Sequence, residues 1–154
     1  FIGMRDSFYM ATVSETGWPY MQHRGGPKGF VHAVDNKTLA IPDFNGNRQF
    51  VSVGNLRHDD RVSLFFMDYP NRARLKMLGR VRTTDDADIL ESLALSDYKA
   101  EIERAFLIDV AAFDWNCPQH ITPRFTPDDI ESYITPLQDR IAVLEAELAA
   151  GAQG

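Results

Sequence analysis

Ala73-Arg-Leu-Lys-Met-Leu-Gly-Arg-Val-Arg-Thr83 is the stretch that decides how this chain folds. Its odd positions are Ala73, Leu75, Met77, Gly79 and Val81, and its even positions include Arg74, Lys76, Arg80 and Arg82. Successive side chains of a strand point to opposite faces, so the segment reads as a strand with one apolar and one basic face. Only Leu78 interrupts the basic series. Upstream, Val62-Ser-Leu-Phe-Phe-Met67 is an almost wholly apolar run, as expected of a central strand. A short connection joins the two.

Working outward from this pair, the N-terminal half continues the β pattern. Phe8–Val13 and Tyr20–His23 flank the turn residues Ser14-Glu-Thr-Gly17, a hairpin signal. Phe30–Val34 and Thr38–Ile41 flank Asp35-Asn-Lys37 in the same way. Pro42–Asn47 has loop chemistry, and Arg48–Leu56 follows as a helix with Phe50, Val53 and Leu56 at helical spacing and Asn47 as its cap. Toward the C-terminus, Asp86–Leu95 and Asp97–Glu103 read as one or two short helices, with Ile89, Leu90 and Leu93 as an apolar stripe. Ala105–Phe113 returns to strand.

Thr126-Pro-Asp-Asp129 is a helix start, and Thr135-Pro-Leu-Gln138 repeats the signal, so Pro136 is expected to open a second helix. Ile130, Ile134, Leu137, Ile141, Leu144 and Leu148 alternate four and three apart, a seam that wants a helical partner in the same subunit or another. The sum is a mainly β, α+β protein: a small barrel of about six strands decorated with helices. Doubly wound folds alternate strands with helices from the outset, and a chain that begins with two hairpins does not.

The 154 residues suit a single domain, and 44% hydrophobic with 25% charged residues excludes a disordered or low-complexity chain. Sixteen Lys and Arg against twenty-two Asp and Glu leave a net charge of −6, the wrong balance for a general nucleic-acid binder. No apolar run has the length that spans a bilayer. The single cysteine excludes an internal disulfide and fits a reducing cytosol, so a cytoplasmic location is expected. The chain opens at Phe1 without an initiator methionine, so an upstream stretch is expected.

Several groups of residues could carry chemistry. Gly25-Gly-Pro-Lys-Gly29 lacks the spacing of a phosphate loop and reads as a tight connection. His23 and Arg24 end a strand where side chains can face a cleft, although a satisfied surface Arg is the plain alternative. Asp43-Phe-Asn-Gly-Asn-Arg48 leads into a helix start where free N–H groups and Arg48 can hold an anion; a capped loop is the alternative. Arg74 and Lys76 lie nearest the loop and suit anion binding, whereas Arg80 and Arg82 equally suit a solvated face. Trp115-Asn-Cys-Pro-Gln-His120 holds a thiol and an imidazole with no obvious orienting group, so a stiff loop is favoured over a nucleophile. The four histidines show no metal-ligand spacing, and no metal is expected.

The order of these segments resembles the pyridoxamine 5′-phosphate oxidase-like, FMN-binding split-barrel family, and within it the branch of flavin-nucleotide-binding proteins. The match is carried by SFYMATVSETGWPYMQHRGGPKGF (7–30), TLAIPDFNGNRQFVSVGNL (38–56), FFMDYPNRARLKMLGRV (65–81) and DWNCPQHITPRF (114–125). The resemblance implies a six-stranded split barrel over residues 1–125, followed by a helical extension over 126–154. It implies a homodimer with FMN at the interface and a small-molecule substrate of unknown identity.

The cofactor phosphate would be held by Ile41, Pro42 and Asp43 and by Asn47, Arg48 and Gln49. His23 and Arg24 would lie beside the flavin or its ribityl chain, Arg74 and Lys76 would complete a cationic pocket, and Trp115, Asn116, Cys117 and Gln119 would reach the ring edge across the dimer. No catalytic residue follows from the resemblance. After Phe125 the chain departs from the true oxidases, lacking the segment that grips pyridoxal phosphate, so that oxidation is not expected. An oxidoreductase acting on another small molecule is the leading expectation. A non-catalytic flavin-binding or sensing module with a partner-docking C-terminal helix is the alternative, as is the same fold holding F420 or haem.

Overall fold

A computed structural model describes residues 1–46, 49–115 and 117–151. The strands are β1 (Ser7–Val13), β2 (Pro19–Gly25), β3 (His32–Ala33), β4 (Thr38–Phe44), β5 (Arg61–Asp68), β6 (Ala73–Thr84) and β7 (Ile102–Trp115). The helices are α1 (Val51–Leu56), α2 (Ala87–Ser92) and α3 (Pro127–Gly151), with a short 3₁₀ turn at Ile2–Met4. All strands join one antiparallel sheet in the order β2-β1-β5-β6-β7-β4-β3, so six long strands carry the architecture and β3 adds two residues at an edge.

The alternation read in β6 is the alternation seen. Leu75, Met77, Gly79 and Val81 face inward and are buried, while Leu78, Arg80 and Arg82 face outward. Phe8 and Met10 of β1 and Val62, Leu64 and Phe66 of β5 share one core cluster with Leu75, Met77 and Val81. The Phe8 ring stacks on Phe66 at 5.0 Å and lies 5.9 Å from Phe30. The apolar run in β5 is therefore half outward: Ser63 is exposed and Phe65 partly so.

Gly79 sits where the register of β6 on β7 shifts between Leu78 and Gly79. A Cβ there would stand 2.7 Å from Ile108 Cγ2 and 2.9 Å from the Asp109 carbonyl oxygen. The missing side chain is what lets the two strands close at the bulge.

Four expectations need correction. Pro42–Phe44 belongs to β4 and not to a loop, because Pro42 and Asp43 pair with Ala105 and Arg104 of β7. Helix α1 starts at Val51, three residues later than expected from Arg48. Its buried residues are Ser52 and Asn55, while Phe50 stays exposed, because Ser52 Oγ donates to Gln22 Oε1 (2.8 Å) and Asn55 Nδ2 to Thr12 Oγ1 (2.9 Å). A six-residue helix cannot stand alone, and these polar anchors fix it on β1 and β2. The cap expected at Asn47 lies outside the described residues, as do Arg48 and Asn116.

Asp97–Glu103 is no helix, because Ile102 and Glu103 already run in β7. The preceding helix lies within the expected Asp86–Leu95 but ends at Ser92; Asp86 caps α2 through the N–H groups of Asp88 and Ile89, and Leu93 is buried with Ile89 and Leu90 against it.

The C-terminal region is one helix, with Pro136 inside it, and not two. Proline's fixed φ is itself helical; what it removes is one backbone hydrogen bond, which a solvated helix can lose to water. The start is as read, with Thr126 Oγ1 accepting from the Asp129 N–H (3.2 Å) and Asp129 Oδ2 accepting from the Thr126 N–H (2.8 Å). Among the described residues no helix is long and apolar enough to cross a membrane.

Candidate functional site

The end of β2, the end of β4 and the approach to α1 converge on a cleft of about 290 Å³. His23, Arg24, Pro42, Asp43 and Gln49, five of the residues singled out in the sequence, line it together with Gln22, Phe30 and Glu103. Alternation in β2 sends His23 and Arg24 to opposite faces. Arg24 turns into the barrel, with Nη1 2.5 Å from Asp43 Oδ1 and its guanidinium 4.5 Å from the centre of the Phe106 ring. Its Nε is buried and, among the described residues, has no hydrogen-bond partner. His23 lies outside, 5.6 Å ring to ring from Tyr9.

Charges in the wall are arranged as a chain. Asp43 also faces Arg104 Nε at 3.8 Å, and Arg104 Nη2 donates to Glu103 at 3.1 Å. Two cations and two carboxylates thus neutralise one another. An anion entering the cleft needs further donors, and Arg48, next in sequence to the lining residue Gln49, is the nearest additional cation along the chain. Asn47 and Arg48 lie outside the described residues.

The remaining expected residues do not gather in this cleft within one chain. Ile41 is fully buried in the core, so only its backbone could meet a ligand. Arg74 lines a separate concavity of about 540 Å³, together with Tyr9, Phe65, Met67, His120 and Arg124, and its Nε too is buried without a partner among the described residues. Lys76 pairs with Asp114 at 3.1 Å on the outer sheet face. Trp115 ends β7 half-exposed, edge-on to Phe1 at 4.8 Å. Cys117 and Gln119 are exposed beyond it, and Asn116 lies outside the described residues.

His23 and Tyr9 connect the two concavities, since Tyr9 lines the second and His23 the first. The outward row across five strands reads His23, Tyr9, Phe65, Lys76 and Asp114.

Gln22, Glu103 and Arg104 escaped the sequence reading. Gln22 shares the inward face of β2 with Arg24, a signal present in the alternation. Glu103 closed a segment read as helical and Arg104 fell between it and the strand expected from Ala105; two adjacent charged residues give no alternation to mark the start of β7.

A barrel of this topology with a ligand-sized cleft at its edges defines an antiparallel split-barrel protein. Residues 1–124 match the model of the family described as pyridoxamine 5′-phosphate oxidase, and the chain belongs to that family. Among curated proteins none matches the sequence significantly.

Solved structures share the fold at low identity. HupZ of Group A Streptococcus, as its H111A variant, has a TM-score of 0.60 at 15% identity, covering 75% of this chain and 93% of that one. An FMN-binding protein of Syntrophomonas wolfei subsp. wolfei has a TM-score of 0.57 at 10% identity, with 74% and 79% covered. An F420 reductase has a TM-score of 0.51 at 16% identity, with 73% and 93% covered.

Proposed function

We propose that this chain is an FMN-binding flavoprotein, a homodimer whose residues 1–125 form the cofactor domain and whose residues 126–154 form an extension. The observation that carries the reading is the convergence of His23, Arg24, Pro42, Asp43 and Gln49, from three separate segments, on one cleft. At about 290 Å³ the cleft stands at the lower end of small-molecule sites. It suits the phosphate and ribityl end of a flavin nucleotide, with the buried Arg24 Nε, unpartnered among the described residues, as a spare donor. The aromatic concavity around Tyr9 and Phe65 suits the ring system, with Arg74 as its cation.

Bound FMN supplies hydride or electron transfer; the protein's part is to hold the phosphate, orient the ring and set the charge beside it. Arg48 and Asn47 grip the phosphate in this reading, because the Arg24–Asp43–Arg104–Glu103 chain is already neutral. In this reading Trp115, Asn116, Cys117 and Gln119 serve the ring edge of the flavin across the dimer. Exposed Met21 and Leu78 on the outer sheet face, with Phe113 and Trp115 at the end of β7, support that pairing. The substrate is a small organic molecule, and the location is the cytoplasm.

The test is the visible spectrum of the freshly purified protein, with mass spectrometry of any released ligand. A flavin spectrum and the mass of FMN are expected. The mass of F420, whose reductase shares this fold, would replace the cofactor and keep the site. A folded protein that stays colourless and ignores added FMN would overturn the reading. Steady oxidation of reduced nicotinamide by the holoprotein separates an oxidoreductase from a binding module.

A further inference from the structure

Among the described residues, nothing in its own chain buries the apolar seam of helix α3. None of its residues is buried, and Ile130, Ile134, Leu137, Ile141, Leu144 and Leu148 are between 36% and 74% exposed. A solitary solvated helix with a proline in its interior is marginal in water, so its stability must come from something packed on the seam.

The seam specifies what that is. Intervals of four, three, four, three and four place Ile134, Ile141 and Leu148 at heptad position a, and Ile130, Leu137 and Leu144 at d. Ile at a with Leu at d favours two parallel strands. Pro136 falls at c, on the flank away from the seam, where its missing N–H disturbs no contact between helices.

The flanking charges select the orientation. Arg140 stands at g and Glu145 at e, and in a parallel pair each g residue meets the e residue five positions later on the other helix. Arg140 of one copy then meets Glu145 of the other, twice by symmetry. An antiparallel pair that keeps all six apolar layers instead brings Glu131 opposite Glu145, and Arg140 beside its own equivalent. We propose that α3 pairs with α3 of a second copy as a parallel, in-register, two-stranded coiled coil. The pairing is independent of whether the barrel binds a flavin.

The test is disulfide trapping in the full chain carrying Cys117→Ser, since Cys117 is the one cysteine present. Leu137→Cys and Leu144→Cys, both at d, should each give a covalent dimer on mild oxidation, and Asp139→Cys, at f, should give none. Adding Arg140→Glu to the Leu144→Cys chain should lower the yield several-fold, and adding Glu145→Arg to that should restore it. Two trapping positions guard against one variant failing to fold. Absence of cross-links at both, in chains that keep the parent's circular dichroism, would overturn the pairing. So would equal trapping at Asp139→Cys, or trapping only in mixtures of Ile134→Cys with Leu144→Cys, the antiparallel result.

Discussion

Arg24 and Asp43 stand on strands near opposite edges of the sheet, yet Arg24 Nη1 lies 2.5 Å from Asp43 Oδ1. The order β2-β1-β5-β6-β7-β4-β3 puts four strands between them along the hydrogen-bonded ladder. Their contact means the sheet has curled until its edges face each other, and the cleft is the gap left at that closure.

Both side chains are largely buried, at 11% and 14% exposure. Removing one partner of such a pair leaves the other charge stranded, at a cost of about 3–5 kcal/mol. Asp43→Ala is expected to lower stability by about that amount, measured by urea denaturation, because it strands Arg24 and loosens Arg104 together. A loss below about 1 kcal/mol would show the pair to be no stronger than a surface ion pair.

Arg48→Ala is expected to weaken FMN binding far more than Arg82→Ala. One charge-assisted hydrogen bond contributes about 1.5–3 kcal/mol, or roughly 10- to 150-fold in Kd. Arg82 sits on the outer face, 3.9 Å from Asp109 and well exposed. Flavin fluorescence titration reads both, and equal effects would reject the phosphate assignment.

Asp68 predicts an acid-sensitive term in stability. Burial pushes its carboxyl up, but hydrogen bonds from Asn71 and the Arg5 guanidinium at 3.0 Å outweigh that and hold it below the usual carboxylate range. A lowered folded value means stability that is present above about pH 4, the unfolded range, and is lost as pH falls through the folded value. The gap between the parent and Asp68→Asn in urea denaturation should be wide at pH 6 and shrink on acidification. A constant gap would remove Asp68 from the acid response.

Gly79→Ala should destabilise the barrel by about 1–3 kcal/mol, because the new methyl meets Ile108 Cγ2 and backbone of β7 and not solvent. Gly54→Ala is the control, since a Cβ there meets nothing within 4 Å. Thermal unfolding of the two variants separates the clash from the general effect of replacing a glycine.

The legible part of the fold was whatever repeats over a few residues. Alternation in 73–83 assigned an inner and an outer face that β6 keeps from Leu75 to Arg82. Thr126 announced its helix by capping chemistry, and Ile89, Leu90 and Leu93 announced α2 by their spacing. The misreadings came where a local cue competed with a distant one. Pro42 reads as loop chemistry but holds a strand position because Ala105 pairs with it. Thr135-Pro136 imitates a helix start inside a continuous helix.

The site was legible as a set of residue types and not as a neighbourhood. Arg24, Arg74 and Lys76 all read as cations available to an anion, yet Arg24 and Lys76 are held by Asp43 and Asp114, and Arg74 lies in another concavity. Sequence by itself determined the central parts of most strands, the two faces of β6, the cap at Thr126 and the heptad spacing of the last helix, because each depends on side chains within one or two turns or pleats. Tertiary structure alone decided which edges meet, which cations are already neutralised and where the cleft opens, because those follow from how a twisted sheet closes on itself across dozens of residues.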